Sequence, residues 1–230
     1  MTRENPDILE EQIQYYKARA NEYDEWFFRQ GRYYQGEDHK QEWFSEIAVM
    51  ESALNDSLPK GHILELACGT GLWSEKLAPY ADKLTVVDSS SETMALCQKR
   101  VKAYPVEYIQ EDIFRFVPQQ QYDFLFFGFW LSHVPSEHFD DFWNRVRSSL
   151  KPDGKVFFVD SLFNPESSGK GQKPLNHSGI AERKLNDGRE YRVIKIFYEP
   201  ESLYEKLTTL GWSGFVRASG RFFLFGCLSF

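Results

Sequence analysis

Five short apolar runs, separated by stretches with helical periodicity, constrain the fold of this chain more than any other feature. The runs lie at residues 62–66, 84–88, 106–109, 122–128 and 155–160. The helical stretches between them lie at residues 72–80, 92–103 and 136–150. Strands joined through helices need crossover connections, which place the strands in one mostly parallel sheet. Lys151-Pro152-Asp153-Gly154 predicts a turn, and runs at 214–216 and 222–228 predict an antiparallel pair at the sheet edge. The pattern predicts an α/β fold with a doubly wound, seven-stranded Rossmann-like sheet.

The sequence outside this pattern predicts additions at two places. Residues 6–29 and 39–55 have helical patterns in front of the first strand. Residues 164–178 are rich in Gly, Ser, Lys and Pro and predict a loop, and Asn186-Asp187-Gly188 between two extended runs predicts a hairpin. We therefore expect a single domain over residues 1–230, with a helical lid at 1–58 and an inserted substrate cap at 163–198.

Composition excludes several classes of protein. With 42% hydrophobic and 17% aromatic residues, the chain is too rich in bulky groups for intrinsic disorder. A net charge of −7 and the absence of a basic tract argue against nucleic acid as a partner. The N-terminus lacks a signal-peptide core, and the apolar stretch at 124–131 is too short to span a membrane, so we expect a cytoplasmic protein. The three cysteines have no paired spacing, and neither disulfides nor a metal site is indicated.

The segment Glu65-Leu66-Ala67-Cys68-Gly69-Thr70-Gly71 follows the first predicted strand and opens a helix. Glycines at such a turn allow the backbone to approach a ligand closely. Asp88 ends the second strand, where a carboxylate can accept hydrogen bonds from both hydroxyls of a ribose. A dinucleotide fingerprint requires a third glycine where this chain has Ser74, with Trp73 beside it. The sequence thus predicts a nucleotide-type site and disfavours NAD or FAD.

Four segments together resemble the class I S-adenosylmethionine (SAM) dependent methyltransferases. They are ELACGTG at 65–71, VVDSSSETM at 86–94, QEDIF at 110–114 and FWLSHVP at 129–135. The resemblance implies SAM as cofactor and S-adenosylhomocysteine (SAH) as product. The N-terminal segment QIQYYKARANEYDEWF resembles the lid helix of small-molecule methyltransferases. Towards the C-terminus, ERKLNDGREYRVIKIF and LTTLGW are similar to the phosphonate O-methyltransferases of the dehydrophos type.

The resemblance assigns most cofactor contacts to the loop and strand ends. Gly69 and Gly71 would pass beneath the methionine part of SAM, and Glu65 would order the loop and the amino group. Asp88 would hold the ribose, and Phe129 would border the sulfonium.

Adenine contacts are implied at the ends of the second and third strands. Ser89 and Met94 would lie near the ring, Asp112 would meet its amino group, and Ile113 would add apolar contact. Each residue also has an ordinary interpretation: Met94 as core, Ser89 as a helix cap and Asp112 as a solvated acid.

In the N-terminal helix, the resemblance implies that Tyr15 and Arg19 close over SAM, with the guanidinium reaching the SAM carboxylate. Alternatively, Arg19 is a surface residue paired with Glu22 or Glu25.

Several aromatic residues are candidates for the methyl-transfer site. Aromatic faces favour a cationic sulfonium and exclude water. Tyr23 is expected at the reacting centre, and Tyr16, Trp26 and Trp130 are expected to contact the substrate. The alternative is that these side chains belong to the core.

His133 follows the fourth strand, at the ligand-binding edge of the predicted sheet. It is a candidate general base for a hydroxyl acceptor, or it hydrogen-bonds a backbone carbonyl in the turn before Pro135. An ionised phosphonate or carboxylate acceptor would need no base.

The predicted cap is basic although the chain as a whole is acidic. Residues 166–195 contain seven basic and four acidic side chains. Arg183 and Arg192 lie on opposite arms of the predicted hairpin and are expected to face one pocket as an anion clamp. Alternatively, these charges only cover a solvated hairpin and its edges.

The sequence therefore predicts a SAM-dependent methyltransferase that acts on a small molecule, with transfer to an oxygen of an anionic acceptor. A neutral phenol, amine or carbon acceptor remains an alternative, as does a SAM-binding regulator without turnover. A nicotinamide oxidoreductase is a weaker third possibility. The exposed aromatic lid is a possible homodimer surface.

Overall fold

The computed structural model describes residues 6–174 and 178–230, and within these residues the chain forms a large twisted sheet and a separate hairpin. The first five residues of the expected lid, and residues 175–177 of the expected cap, lie outside the described part. The strands are β1 (Gly61–Leu66), β2 (Ala81–Asp88), β3 (Val106–Gln110), β4 (Tyr122–Gly128), β5 (Leu150–Ser161), β6 (Ile180–Lys184), β7 (Glu190–Ile194), β8 (Ser213–Ala218) and β9 (Phe223–Ser229). The helices are α1 (Pro6–Arg19), α2 (Tyr23–Phe27), α3 (Glu37–Asp56), α4 (Ser74–Leu77), α5 (Ser91–Arg100), α6 (Phe139–Ser149) and α7 (Pro200–Thr209). None of the helices in these residues is long and apolar enough to cross a membrane.

The large sheet has the strand order β3-β2-β1-β4-β5-β9-β8. The first five strands are parallel, and β9 pairs antiparallel with both β5 and β8. The order reverses between β1 and β4, and ligands bind at the carboxyl ends of strands beside such a switch point. The predicted α/β, mostly parallel seven-stranded fold is confirmed for the described residues.

Alternation along the central strands divides the core between the two faces of the sheet. Ile63 and Phe126 belong to one apolar cluster, whereas Leu64 and Phe127 belong to the other, and all four are fully buried. Trp43 of α3 packs in the first cluster and Trp143 of α6 in the second. Because both faces are covered, the central strands read as continuous apolar runs without polar alternation.

Two predicted elements differ from the structure for local reasons. The predicted turn at 151–154 lies inside strand β5. In the pairing of β4 with β5, Tyr122 lies opposite Leu150 and Phe124 lies opposite Lys155, so β5 has extra residues between these two pairs. The extra residues of β5 form an irregularity within a continuous strand. The helix predicted at 6–29 is broken by a 3₁₀ turn at Ala20–Glu22, after which α2 begins.

The N-terminal helix and the hairpin pack against each other. Tyr15 of α1 contacts Ala181, Leu185 and Val193 in a small apolar cluster. Gln12 adds two buried hydrogen bonds, accepting from Ile194 N at 3.0 Å and donating to the His133 carbonyl at 3.3 Å. The division of the chain into one domain with a lid and a cap remains a prediction.

Candidate active site

The loop after β1 is held against the end of β2. Gly69 has a φ of 53° and donates its backbone N–H to Asp88 Oδ2 at 2.8 Å. A Cβ at Gly69 would meet nothing within 4 Å, so this glycine borders open space. A Cβ at Gly71 would lie 2.8 Å from Cys97 Sγ and 2.9 Å from Cys97 Cα. Gly71 is therefore needed where the loop packs on α5, and its place beneath the methionine part of SAM remains a prediction.

The Asp88 carboxylate is fixed by several donors. It accepts from Ser90 N at 2.9 Å and Thr93 Oγ1 at 3.2 Å, in addition to Gly69. Burial raises the pKa of Asp88 above its usual value, although these hydrogen bonds oppose the shift. Ser90, whose Oγ accepts from Thr93 N at 3.1 Å, is the cap of α5. Ser89 is not the cap.

A cavity of about 740 Å³ opens beside Asp88, and we call it the Asp88 cavity. It has an acidic end and a mostly apolar wall. Its lining comprises Leu9, Gln12, Ile13, Tyr16, Tyr23, Ala67, Gly69, Asp88, Ser89, Thr93, Asp112, Ile113, Phe114, Gly128, Phe129, Trp130 and His133. Ser89, Asp112 and Ile113 thus lie together near Asp88 as the resemblance implied. Trp130, which was expected to contact substrate, also lies here, whereas Met94 is buried in the core.

A smaller cavity of about 310 Å³ lies over the loop, and we call it the glycine-loop cavity. It is lined by Tyr23, Glu65, Ala67, Cys68, Gly69, Thr70, Leu72, Trp73, Gly128 and Phe129. Ser74 Oγ donates to Glu65 Oε2 at 2.5 Å, and burial raises the pKa of Glu65 well above its usual value. The buried Trp73 Nε1 has no hydrogen-bond partner among the described residues. A carboxylate and an indole donor at one cavity match the charged and polar ends of an amino acid.

A third cavity, of about 650 Å³, lies between α1, α2 and the β6–β7 hairpin, and we call it the Arg183 cavity. It is rich in aromatic and cationic side chains. Its lining comprises Tyr15, Tyr16, Arg19, Tyr23, Trp26, Tyr33, Phe129, His133, Ser161, Ser167, Ser168, Gly169, Gln172, Arg183, Lys195 and Phe197. None of these described lining residues is an acid. Tyr15 and Arg19 line this cavity and not the Asp88 or glycine-loop cavities, and their contact with the cofactor remains a prediction.

Arg19 is almost fully buried and keeps its charge through aromatic contacts. Its guanidinium lies 5.5 Å from the centre of the Tyr15 ring and 5.0 Å from that of Tyr23, and Nη2 is 3.4 Å from Tyr33 Oη. Glu22 instead pairs with Arg32, so the surface-pair interpretation of Arg19 is wrong. Burial alone would raise the pKa of the Tyr33 phenol, but Arg19 and Arg32 bring it below its usual value.

Lys195 was not singled out from the sequence, although it lines the same cavity. Its Nζ donates to Ser132 Oγ at 2.8 Å and lies 3.6 Å from Asp160 Oδ1. Asp160 also accepts from Ser132 N and Ser161 N, which fixes it at the end of β5. Burial lowers the pKa of Lys195, an effect that Asp160 opposes. The sequence does place a lysine directly after β7, which could have indicated a cation at this site. The direction of the Lys195 side chain, however, depends on how the hairpin packs.

Arg183 and Arg192 do not face one pocket. In the β6–β7 register, Arg183 is opposite Tyr191 and Glu182 is opposite Arg192, so the two arginines lie on opposite faces of the hairpin. Arg183 lines the cavity, whereas Arg192 Nη2 pairs with Glu11 Oε2 of α1 at 2.8 Å. The two-arginine clamp is therefore wrong, because side chains alternate along a strand.

Tyr23 and Phe129 line all three cavities and mark the point where they meet. Phe129 has a φ of 57°, an uncommon conformation for this residue, and its ring packs edge-on against Trp26 at 4.9 Å between centroids. Burial raises the pKa of Tyr23. The Trp26 Nε1 donates to the Ser167 carbonyl at 3.1 Å, which ties α2 to the segment after β5.

His133 and Tyr16 lie together at the wall shared by the Asp88 and Arg183 cavities. Tyr16 Oη is 2.7 Å from His133 Nε2, and His133 Nδ1 is 2.5 Å from the Ile194 carbonyl oxygen. Burial lowers the pKa of His133 well below 6.5, and Lys195 adds to the shift. Both nitrogens of the neutral ring are thus engaged by protein groups. Among the described residues there is no cluster of three or more His, Cys, Asp or Glu side chains that could bind a metal.

A glycine turn and an acid at the carboxyl ends of β1 and β2, beside the switch point of this sheet, are the arrangement of a nucleotide-binding α/β protein. Residues 63–154 match the methyltransferase domain family. The solved DhpI–SAH complex is 34% identical, covers 98% of both chains and has a TM-score of 0.79. The DhpI–SAM–HEP complex is 33% identical, covers 98% of this chain and 99% of that chain, and has a TM-score of 0.80. The chain belongs to the class I SAM-dependent methyltransferases, as its motifs predicted, and within them it resembles DhpI.

Curated relatives match shorter segments. Nodulation protein S of Sinorhizobium fredii is 37% identical over 73 residues, which cover 30% of this chain and 34% of that protein. Malonyl-[acyl-carrier protein] O-methyltransferase 2 of Ilyobacter polytropus is 28% identical over 128 residues, which cover 53% of this chain and 49% of that protein. The chain thus spans less than half the length of these two relatives.

Proposed function

We propose that this enzyme transfers a methyl group from SAM to an oxygen of a small anionic acceptor, a phosphonate or a carboxylate. The observation that carries the proposal is the charge of the Arg183 cavity. Arg19, Arg183 and Lys195 line it, and its described lining contains no acid. Asp160 pairs with Lys195 from behind the wall at 3.6 Å, so the three lining cations still exceed the acids that face them. Such an excess of positive charge favours an anion, because it lowers the cost of moving negative charge out of water.

The cofactor fits the two other cavities by its chemistry. The Asp88 cavity offers a carboxylate for the ribose and an apolar wall of Ile113, Phe114 and Trp130 for the adenine. The glycine-loop cavity offers Glu65 for the amino group and the unpartnered Trp73 Nε1 as a donor for the carboxylate. SAM supplies an electrophilic methyl group on a positively charged sulfur.

The acceptor side is built for alignment and charge neutralisation. Arg183 and Arg19 present planar guanidinium groups, which suit the paired oxygens of a carboxylate or phosphonate. Lys195 adds an ammonium held by Ser132 and Asp160. Tyr23 and Phe129 stand between this anion site and the cofactor cavities, where they exclude water and limit the direction of approach.

This arrangement leaves His133 unavailable as a base for a neutral hydroxyl acceptor. The lone pair of His133 accepts the Tyr16 hydroxyl proton, and the other ring nitrogen holds a carbonyl. An acceptor oxygen that is already ionised at neutral pH needs no deprotonation. The His133 geometry therefore supports an acid as acceptor over a phenol or an amine.

The comparisons support the same acceptor class. DhpI has been captured in a complex with SAM and HEP, and the Ilyobacter relative is named as an O-methyltransferase of malonyl-acyl-carrier protein. The similarity of the segments ERKLNDGREYRVIKIF and LTTLGW to phosphonate O-methyltransferases favours a phosphonate over a carboxylate.

The experiment is transfer of labelled methyl from SAM to a panel of phosphonates, carboxylates, phenols and amines. Label on a phosphonate or carboxylate supports the proposal, and label only on phenols or amines contradicts it. In parallel, Arg183→Gln is compared with Arg189→Gln, which alters an exposed arginine of the same hairpin paired with Asp187 at 2.7 Å. We expect the first substitution to raise the KM for the acceptor by about 10- to 100-fold, since a charge-assisted hydrogen bond is lost, and the second to leave it unchanged.

A further inference from the structure

We propose that the Tyr16 hydroxyl faces the methyl-transfer junction as a hydrogen-bond acceptor only, and that His133 is the positioning residue that fixes it in this role. The inference rests on the proposed function, because it gives a role to a hydroxyl of a residue that lines both the Asp88 and the Arg183 cavities. It also replaces the expectation that His133 acts as a general base.

The direction of the hydrogen bonds follows from the partners. A carbonyl oxygen only accepts, so His133 Nδ1, 2.5 Å from the Ile194 oxygen, carries the ring proton. A neutral imidazole then has an unprotonated Nε2. Nε2 lies 2.7 Å from Tyr16 Oη, so Tyr16 is the donor in that bond. The single hydroxyl hydrogen is thereby used, and only lone pairs of Oη remain.

Those lone pairs belong to a residue that lines both the Asp88 and the Arg183 cavities. Tyr23, which marks the junction of all three cavities, has its ring 6.4 Å from that of Tyr16. C–H groups next to a sulfonium are polarised, and an oxygen that only accepts attracts them through weak hydrogen bonds. A hydroxyl free to rotate would also donate its hydrogen to the anionic methyl acceptor. The bond to His133 prevents this donation, so the lone pairs of Tyr16 Oη remain available to align the methyl group.

The surroundings keep both groups in the required protonation state. Burial raises the pKa of Tyr16 well above 10, so the phenol stays protonated. Burial, Lys195, Arg183 and Arg19 all lower the pKa of His133, so the ring stays neutral.

The contact also depends on the N-terminal helix being in place. Tyr16 lies on α1, and Gln12 one turn earlier bonds both the His133 carbonyl and the Ile194 N–H. The His133 ring adds a second link between His133 and Ile194, because Nδ1 bonds the Ile194 carbonyl oxygen. Packing of α1 on the hairpin thus completes the Tyr16–His133 pair.

The experiment compares Tyr16→Phe, His133→Asn and the double variant, with Tyr104→Phe as an exposed tyrosine control. Asparagine can keep the donor to the Ile194 carbonyl while removing the acceptor for Tyr16. We expect either single variant to lower kcat about 10-fold with the acceptor KM little changed, which is the size of one neutral hydrogen bond. The double variant should be no slower than either single variant, because the two residues act as one unit. Tyr104→Phe should match the wild type.

Two outcomes overturn the inference. One is a wild-type kcat in Tyr16→Phe. The other is a loss of about 100-fold or more in His133→Asn with Tyr16→Phe nearly unaffected, which is the signature of a general base. A readout without turnover separates this inference from the proposed function: nitrogen NMR of the His133 ring should show a protonated Nδ1 and an unprotonated Nε2, and Tyr16→Phe should shift only Nε2. A protonated Nε2 contradicts the inference even if the acceptor assignment is right, and methyl transfer only to neutral acceptors contradicts the acceptor assignment even if the tautomer is right.

Discussion

Lys195 Nζ lies 3.6 Å from the buried carboxylate of Asp160, and this pair places a positive charge on the wall of the Arg183 cavity. Asp160 is itself held by the backbone N–H groups of Ser132 and Ser161. The ammonium is therefore oriented by a fixed acid on one side while the cavity lies on the other. This arrangement leads to the first two predictions.

Removal of the ammonium should weaken acceptor binding. We expect Lys195→Gln to raise the acceptor KM about 10- to 100-fold, the value of a charge-assisted hydrogen bond. SAM affinity should stay the same, because Lys195 does not line the Asp88 or glycine-loop cavities. Steady-state kinetics and calorimetry of SAM binding measure the two effects. Lys184→Gln is the matched control, since Lys184 is an exposed lysine of the same hairpin.

The activity should also fall in alkali. Burial lowers the pKa of Lys195 below 10.5, so the free enzyme loses this charge at a lower pH than an exposed lysine would. We expect kcat/KM for the acceptor to decrease as the pH rises through that lowered pKa. In Lys195→Arg this alkaline limb should disappear, because guanidinium stays charged. An unchanged limb in Lys195→Arg would assign it to another group.

His133 should make folding stability fall in acid. Its folded-state pKa lies well below 6.5, the value expected for the unfolded chain. Below pH 6.5 the His133 ring binds a proton in the unfolded state but stays neutral in the folded state. The free energy of unfolding therefore decreases as the pH falls below 6.5. We expect a loss of about 1 kcal/mol per pH unit just below 6.5, relative to His133→Asn. Urea unfolding of both proteins at several pH values tests this, and parallel curves would contradict it.

The two loop glycines should respond differently to alanine. Both have positive φ, 53° at Gly69 and 85° at Gly71, which costs an alanine roughly 1–2 kcal/mol. The Gly71 Cβ would also collide with the Cys97 backbone, so Gly71→Ala should lose about 3 kcal/mol or more in total. Gly69→Ala has open space and should lose only the smaller amount, while weakening SAM binding. Urea unfolding and SAM titration distinguish the two effects, and equal destabilisation would contradict the packing role of Gly71.

Asp24 connects α2 to the glycine loop and should slow release of the cofactor. Its carboxylate accepts from Thr70 Oγ1 at 2.6 Å and from Arg100 Nη2 at 2.5 Å. We expect Asp24→Ala to speed SAM dissociation about 3- to 10-fold, since roughly 1 kcal/mol of hydrogen bonding is lost. Stopped-flow displacement measures the rate. Lys17→Gln is the comparison, because it breaks a more exposed ion pair between α1 and α5, Lys17–Glu92, and should change little.

Local sequence patterns were sufficient to predict the sheet. Strand β4 has the predicted bounds, and β1, β2 and β3 begin or end within three residues of the prediction. The reason is that these strands are covered on both faces of the sheet, so nearly all of their residues are apolar and form a continuous run in the sequence. Ser89, Asp112 and Ile113 came together as expected because the carboxyl ends of parallel strands meet at one edge.

Tertiary packing decided which basic side chains line the Arg183 cavity, a question that the sequence left open. Hairpin alternation sends Arg183 to the cavity and Arg192 to α1, although the two looked equivalent in the sequence. Arg19 and Lys195 line the Arg183 cavity together, and α1 packs on the hairpin beside it. The sequence by itself therefore determined the fold and the enzyme class, whose signals are local and periodic. The cations of the Arg183 cavity and the contacts of the His133 ring depend on segments more than 60 residues apart, which no local pattern encodes.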